Sequence, residues 1–109
     1  MSFTLSPKTF LSSVAASIAT EWFLVDFRFQ GIQERSIQGT KVSAASDTVH
    51  VELRTDGLDS QGATTTVITT ATSWAGSVTN FSAVIRGPFQ FIRIRKEGAG
   101  GAATVVGIV

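Results

Sequence analysis

The chain contains no cysteine, one histidine and two prolines among its 109 residues. Without cysteine there is no disulfide, no thiolate nucleophile and no cysteine-ligated zinc, and a single histidine excludes a histidine-rich metal site. The formal net charge is only +1, so the sequence favours neither nucleic acid nor a membrane surface as a partner. No apolar run approaches the ~18–20 residues that a membrane-spanning helix needs.

Charged residues are also scarce. They make up 16% of the sequence, against about 25% in an average soluble domain. A small domain with few charges often buries part of its surface in an assembly, but an exterior rich in threonine and serine gives the same composition. The sequence leaves both explanations open.

Residues 1–20 are predicted to form an N-terminal arm or a short helix in front of a single β domain over residues 21–109. Ser6 and Pro7 fit the start of a helix, and apolar residues follow at helical spacing as far as Ile18. An extended arm is the competing interpretation, because serine and threonine are frequent here. The segment loosely resembles a secretory signal, but its serines interrupt the apolar stretch, so we expect it to be retained.

From Glu21 onward, apolar residues recur at every second position, which is typical of half-buried strands. The clearest alternation lies at residues 48–55, where Val49, Val51 and Leu53 are expected to face the core. Further strands are predicted at residues 21–30, 64–72, 78–86, 89–96 and 103–109, and a polar segment with Ile32 and Ile37, closed by Gly39, follows the first of these.

Glycine-containing turns separate these strands, with signals at Asp56-Gly57, at Gly87-Pro88 and at residues 98–101. About seven to eight short strands with no second helical segment predict an all-β fold. The expected architecture is an antiparallel β-sandwich or a jelly roll.

The sequence offers no convincing catalytic or metal site. His50 lies beside Glu52 on one strand face and could act as a general base, but a solvated histidine explains it as well. Asp56 and Asp59 lack the spacing of a recognised calcium loop. The glycine-rich segment at residues 98–101 precedes a strand, whereas a phosphate-binding loop precedes a helix. We therefore expect no enzymatic activity, no cofactor and no bound metal.

The strand at residues 89–96 predicts a binding surface. Its isoleucines alternate with arginines, so the isoleucines are expected to face the core and the arginines to face outward. Strict alternation then places the two phenylalanines on the arginine side, which combines apolar and basic side chains as protein interfaces do. The predicted interface residues on this face are Phe89, Phe91, Arg93 and Arg95. A β-bulge near Ile92, or cover on both sides of the strand start, would instead bury the two phenylalanines. Nucleic acid is a weaker alternative partner for these arginines with Arg86 and Lys96.

Both ends of the chain are apolar. Phe3 and Leu5 near the start are predicted to contact a neighbouring subunit. The valine-rich end is expected to pair inside a sheet, because an uncovered apolar edge strand promotes aggregation.

The second half of the chain shows a recognisable order of features. VELRTDG at residues 51–57 is followed by a threonine-rich strand with Trp74, by FSAVIRGPF at residues 81–89 and by FIRIR at residues 91–95. A glycine-rich hairpin then leads into a valine-rich end. Over residues 43–109 this order resembles small β-sandwich virion proteins of tailed bacteriophages, the group that includes capsid decoration (cement) proteins and head fibres.

The resemblance implies a non-catalytic protein present in many copies, often as trimers, on the capsid exterior. Its expected partners are the major capsid protein and copies of itself, with no direct contact to nucleic acid or membrane. The expected function is to stabilise the head by bridging capsid subunits. A tail or neck structural component is a near alternative. A carbohydrate- or host-surface-binding module, using Trp22, Trp74, Asp56 and Asp59, is the alternative from a different class.

Overall fold

The computed structural model describes residues 8–24, 34–42, 47–58, 60–86 and 89–108. Within these residues there are nine β-strands and no helix, arranged as two antiparallel sheets, which confirms the predicted all-β sandwich. The strands are β1 (Lys8–Val14), β2 (Ile18–Ala19), β3 (Phe23–Leu24), β4 (Glu34–Lys41), β5 (Thr48–Leu58), β6 (Thr64–Trp74), β7 (Asn80–Arg86), β8 (Phe91–Glu97) and β9 (Ala103–Ile108).

The first sheet, sheet A, has the strand order β1-β9-β4-β7. The second, sheet B, has the order β2-β8-β5-β6, and β3 pairs with β8 as well. The core lies between the sheets because alternate side chains of the central strands point inward. The most deeply buried of these side chains are Ile37 and Val105 from sheet A and Val49, Val51, Ile92 and Ile94 from sheet B. Each contributes roughly 1.5–3 kcal/mol through removal from water.

The segment predicted as a helix or an arm is a strand of sheet A. β1 pairs antiparallel with β9, and register shifts occur on both sides of Leu11. Such irregularities let the consecutive side chains of Phe10 and Leu11 both be buried. The bulge therefore gives the buried residues of β1 a spacing similar to that of a helix, and the helical interpretation is wrong. Residues 8–20 contribute to both sheets, whereas Phe3 and Leu5 lie outside the described residues.

One strand was missed and one predicted turn was wrong. No strand was predicted for the polar segment around Ile37, but it forms β4 between β7 and β9. Its inward positions include Gly39 and Lys41, so the sequence shows no apolar alternation. The turn predicted at Asp56-Gly57 is strand, because β5 continues to Leu58. The connection to β6 contains Gly62, whose φ of 81° suits glycine.

A buried ion pair holds the turn between β8 and β9. Lys96 is 1% exposed, and its Nζ donates to Asp47 Oδ2 at 3.1 Å and to the carbonyl oxygens of Ala15 at 2.8 Å and Gly98 at 2.5 Å. Asp47 in turn accepts the amide N–H groups that follow Gly98 in the turn. These are Gly100 N–H at 2.9 Å and Gly101 N–H at 2.8 Å.

These contacts make the fold sensitive to acid. The backbone N–H of Gly100 is the largest cause that holds the pKa of Asp47 below its ordinary value of 3.8, and the Lys96 ammonium acts in the same direction. Between the folded pKa and 3.8, the unfolded chain therefore binds more protons at Asp47 than the folded protein does. The stabilisation from the ionised Asp47 carboxylate is present above pH 3.8 and is lost as the pH falls through the lower folded pKa.

We expect Asp47→Asn to flatten the decline of the unfolding free energy with acid, because that variant has no carboxylate to protonate at this site. Urea unfolding of both proteins over a series of acidic pH values measures the effect. Asp56→Asn is the matched comparison. Arg54 lowers the pKa of Asp56 as well, but at a more exposed position, so we expect a smaller flattening in that variant. Parallel pH profiles for wild type and Asp47→Asn would contradict the assignment.

Candidate binding surface

The outer face of sheet B carries aromatic and charged side chains from two strands, β5 and β8, and from the segment before β3. The register of β5 with β8 places His50 opposite Arg95, Glu52 opposite Arg93 and Arg54 opposite Phe91. Because these positions alternate with buried ones, their side chains share the outer side of the sheet. We call this surface the aromatic–arginine face, and it consists of Trp22, His50, Glu52, Arg54, Phe91, Arg93, Arg95 and Glu97.

Two aromatic rings on this face are covered by arginines. The Arg93 guanidinium carbon lies 4.3 Å from the centroid of the Trp22 ring. The Arg54 guanidinium carbon lies 4.9 Å from the Phe91 ring and 5.7 Å from the Trp22 ring. Each such contact is worth roughly 0.5–1 kcal/mol at an exposed site and more where water is excluded. Leu24 pairs with Phe91 in β3 and is 65% exposed at the rim.

A chain of ion pairs connects the arginines. Glu52 Oε1 accepts Arg93 Nε at 2.8 Å and lies 3.3 Å from Arg95 Nε. Arg95 also bonds to Glu97, and this bond lowers the pKa of the Glu97 carboxyl. The Glu52 side chain is 9% exposed, so its carboxylate has little contact with water and makes its polar contacts with the two guanidinium groups.

A second pair extends the face along β5. Arg54 bonds to both carboxylate oxygens of Asp56, at 3.0 and 2.8 Å, which holds the pKa of Asp56 below its ordinary range. The described arginines of the face therefore each have an acidic neighbour. A face whose positive charges are matched in this way lacks the unbalanced charge with which proteins attract phosphate backbones. Lys96, named with the arginines in the nucleic-acid alternative, is buried.

His50 connects the face to β6. Its Nδ1 lies 2.5 Å from Ser73 Oγ, and its Nε2 lies 3.2 Å from Glu97 Oε1 without the geometry of a hydrogen bond. Glu52, the neighbour predicted from sequence, instead bonds to Arg93. The sequence did not indicate Ser73, which is 23 residues away and lies opposite His50 through strand register. We interpret these contacts as fixing the imidazole orientation.

The structure separates the predicted interface residues. Phe91, Arg93 and Arg95 lie half-buried on one outer face, in the predicted alternation. Phe89 does not, because it is only 7% exposed and belongs to the core. β8 begins at Phe91, and the alternation does not extend back through the bend at Gln90 to Phe89. The expectation of two exposed phenylalanines was therefore wrong for Phe89.

The two tryptophans do not form a shared platform. The Trp74 ring stacks on Phe81 of the opposite sheet, with ring centroids 4.3 Å apart, and packs against the core. Trp22 lies on the outer side of sheet B with the arginines. Asp59 lies outside the described residues. Trp22 and Trp74 therefore do not form together the binding surface that the carbohydrate-binding alternative predicted.

The outer face of sheet A differs in composition from the aromatic–arginine face of sheet B. A groove of about 510 Å³ on this sheet is lined mainly by hydroxyl and amide side chains with a few apolar groups. Its lining residues are Gln38, Gly39, Thr40, Asn80, Phe81, Ser82, Thr104 and Val106. None of them is charged. The side chains with the composition of a protein interface are therefore concentrated on sheet B.

Within the described ranges, no cluster of three or more histidine, aspartate or glutamate side chains is placed to hold a metal ion. The same ranges contain no helix that is long and apolar enough to cross a membrane. Comparison with family models, curated proteins and solved structures found no match for this chain.

Proposed function

We propose that the chain is a non-enzymatic structural protein of a tailed-phage virion. In this proposal it is a capsid decoration protein that binds the major capsid protein and copies of itself on the capsid exterior. The aromatic–arginine face would contact the capsid, so that each copy bridges neighbouring subunits. The sequence resemblance over residues 43–109 supports the phage part of the proposal, and the composition of the face supports the binding part.

The observation that carries the binding part is the placement of Trp22 and Phe91 beside Arg54 and Arg93. Tryptophan and arginine are enriched among the few residues that carry most of the free energy of protein association, and phenylalanine is enriched at interfaces. The exposed Leu24 adds apolar area at the rim of the same patch. The chain therefore presents a small apolar centre surrounded by paired charges.

The contacts within the face also lower the cost of binding. Immobilising a long side chain at an interface costs about 0.5–1.5 kcal/mol. Arg54 and Arg93 are already held by carboxylates and by aromatic rings, so less of this cost remains when a partner binds. Many copies of modest affinity, each bridging two subunits, would together stabilise a shell.

We expect Trp22→Ala to reduce binding to capsids that lack the protein. Removing a central aromatic residue from an interface costs about 2 kcal/mol, or roughly 30-fold in affinity. The measurement is the amount of protein that cosediments with such capsids over a concentration series. Phe91→Ala should act in the same direction. Val84→Ala is the matched control, because Val84 is 53% exposed on the outer side of sheet A.

Thermal melts of the isolated variants distinguish lost contact from lost folding. Unchanged capsid binding by a folded Trp22→Ala protein would remove the aromatic–arginine face from the proposal. Recovery of the protein with purified tails and not with purified heads would replace the decoration function with that of a tail component.

A further inference from the structure

The free edge of β6 is the least protected strand edge in the described part of the chain. β6 is 11 residues long and lies at the end of sheet B, with β5 on one side and no described strand on the other. Residues 64–71 are exposed on both faces of the sheet. Val67 is 59% exposed and Ile68 is 50% exposed, and they point to opposite faces.

The sequence of β6 lacks the usual protection of an edge strand. Natural edges carry lysine, proline or inward-pointing charges that prevent pairing with other chains. Residues 60–85 contain no charged residue and no proline, and residues 64–70 read TTTVITT. All seven of these residues are β-branched, the type that fits an extended and paired strand best.

The other sheet edges differ from β6. β1 has two register shifts and begins at Lys8. β2 and β3 have two residues each. β7 buries alternate side chains in the core and ends at Arg86. In β6 the register shift against β5 lies between Val51 and Glu52, opposite residues 70–72, so the stretch at residues 64–70 remains regular.

We propose that two copies of this chain associate by antiparallel pairing of their β6 strands. The twofold axis is perpendicular to the sheet, so the two copies of sheet B join into one continuous sheet. In the register that places Val67 opposite Val67, residues 64–70 of the two copies pair with one another, so β-branched side chains lie opposite β-branched side chains along the whole stretch. The strand carries no charge, so a copy of itself meets no like-charge repulsion there.

Pairing of identical edges closes after two copies, since each copy uses its only β6. The result is a dimer and not the trimer that the family resemblance implied. A twofold axis perpendicular to the sheet keeps each sheet face on the same side. The aromatic–arginine faces of both copies therefore point in the same direction, and one dimer would present two of them to a partner.

The mass in solution tests the pairing. We expect multi-angle light scattering to give twice the 11.5 kDa monomer mass at high concentration, with dissociation on dilution. Val67→Lys should raise the dissociation constant roughly tenfold or more, because two lysines would then lie close together on adjacent strands. Val84→Lys is the matched control, since it places the same charge on β7, an edge strand of sheet A.

Charge complementation provides a second measurement. Val67→Lys and Val67→Glu should each be monomeric and should form a heterodimer when mixed.

Hydrogen exchange of the wild type provides a third measurement that needs no variant. Backbone amides at residues 64–70 should exchange more slowly at high than at low protein concentration. A wild type that stays monomeric, a stable trimer, or loss of the dimer only in Val84→Lys would each overturn the proposal.

The β6 dimer specifies how copies of the chain associate in the proposed function, and it rests on that function in no other respect. The solution mass requires no capsid, so a monomeric wild type with intact capsid binding would reject β6 pairing alone. A dimer that does not bind capsids would reject the decoration function alone.

Discussion

Replacing Lys96 with methionine is expected to lower the unfolding free energy by about 3–5 kcal/mol, the usual cost of breaking a buried ion pair by removing one partner. Methionine fills a similar volume but donates no hydrogen bond. The Asp47 carboxylate then loses its cationic partner inside the protein, and the carbonyl oxygens of Ala15 and Gly98 lose their donor. Typical domains are stable by about 5–15 kcal/mol, so this loss is a large part of the total.

Equilibrium urea unfolding measures the change, with Lys8→Met as the matched control. Lys8 is exposed and its ammonium lies 4.3 Å from the centroid of the Phe23 ring, a contact worth about 0.5–1 kcal/mol. If Lys96→Met alone leaves too little folded protein to measure, the double variant with Asp47→Asn provides the comparison. It should be the more stable of the two, because it removes the uncompensated charge. Equal stability of Lys96→Met and Lys8→Met would contradict the buried pair.

Replacing Gly39 with alanine is expected to destabilise the sandwich by about 1–3 kcal/mol through overpacking. A Cβ atom at this position would collide with the backbone oxygen of Thr104 and would lie 2.6 Å from Cε2 of Phe81. Neither neighbour can retreat easily. Thr104 lies on β9, which pairs with β4, and the Phe81 ring is stacked on Trp74. The expected loss corresponds to roughly 4–8 °C in Tm for each kcal/mol.

Gly57→Ala is the matched control for this substitution. A Cβ atom there would meet only Thr65 Oγ1, at 3.8 Å, so its expected effect is within about 0.5 kcal/mol. Thermal unfolding followed by circular dichroism compares the two variants. A Gly39→Ala protein as stable as Gly57→Ala would show that β4 and β9 can separate without cost.

The alternation of β5 and β8 was predictable because it depends on the local geometry of an extended chain. Ile92 and Ile94 face inward and Arg93 and Arg95 face outward, as the sequence indicated. The same rule failed at Phe89, which precedes the strand. In β1 the irregular pairing lets the consecutive Phe10 and Leu11 both be buried, so the segment showed no alternation and was interpreted as a possible helix. Local periodicity cannot show where a strand begins or where it is bulged, because both depend on the partner strand.

The candidate site was only partly predictable for the same reason. Phe91, Arg93 and Arg95 were placed together by alternation within one strand. Trp22 and Arg54 join them only through the pairing of β3 and β5 with β8. No pattern in the sequence encodes those registers. The stacking of Trp74 on Phe81 likewise requires two sheets to face each other.

By itself, the sequence determined the β class, the two-sided character of the central strands and the absence of cysteine chemistry. These properties follow from composition and from the two-residue period of an extended backbone. The tertiary structure decided that residues 64–70 lie at a sheet edge with no described strand beside them, that Lys96 is buried with Asp47, and that Trp22 lies under an arginine. Each depends on strand order and register, which are fixed by contacts between residues far apart, such as Lys96 and Ala15 across 81 positions.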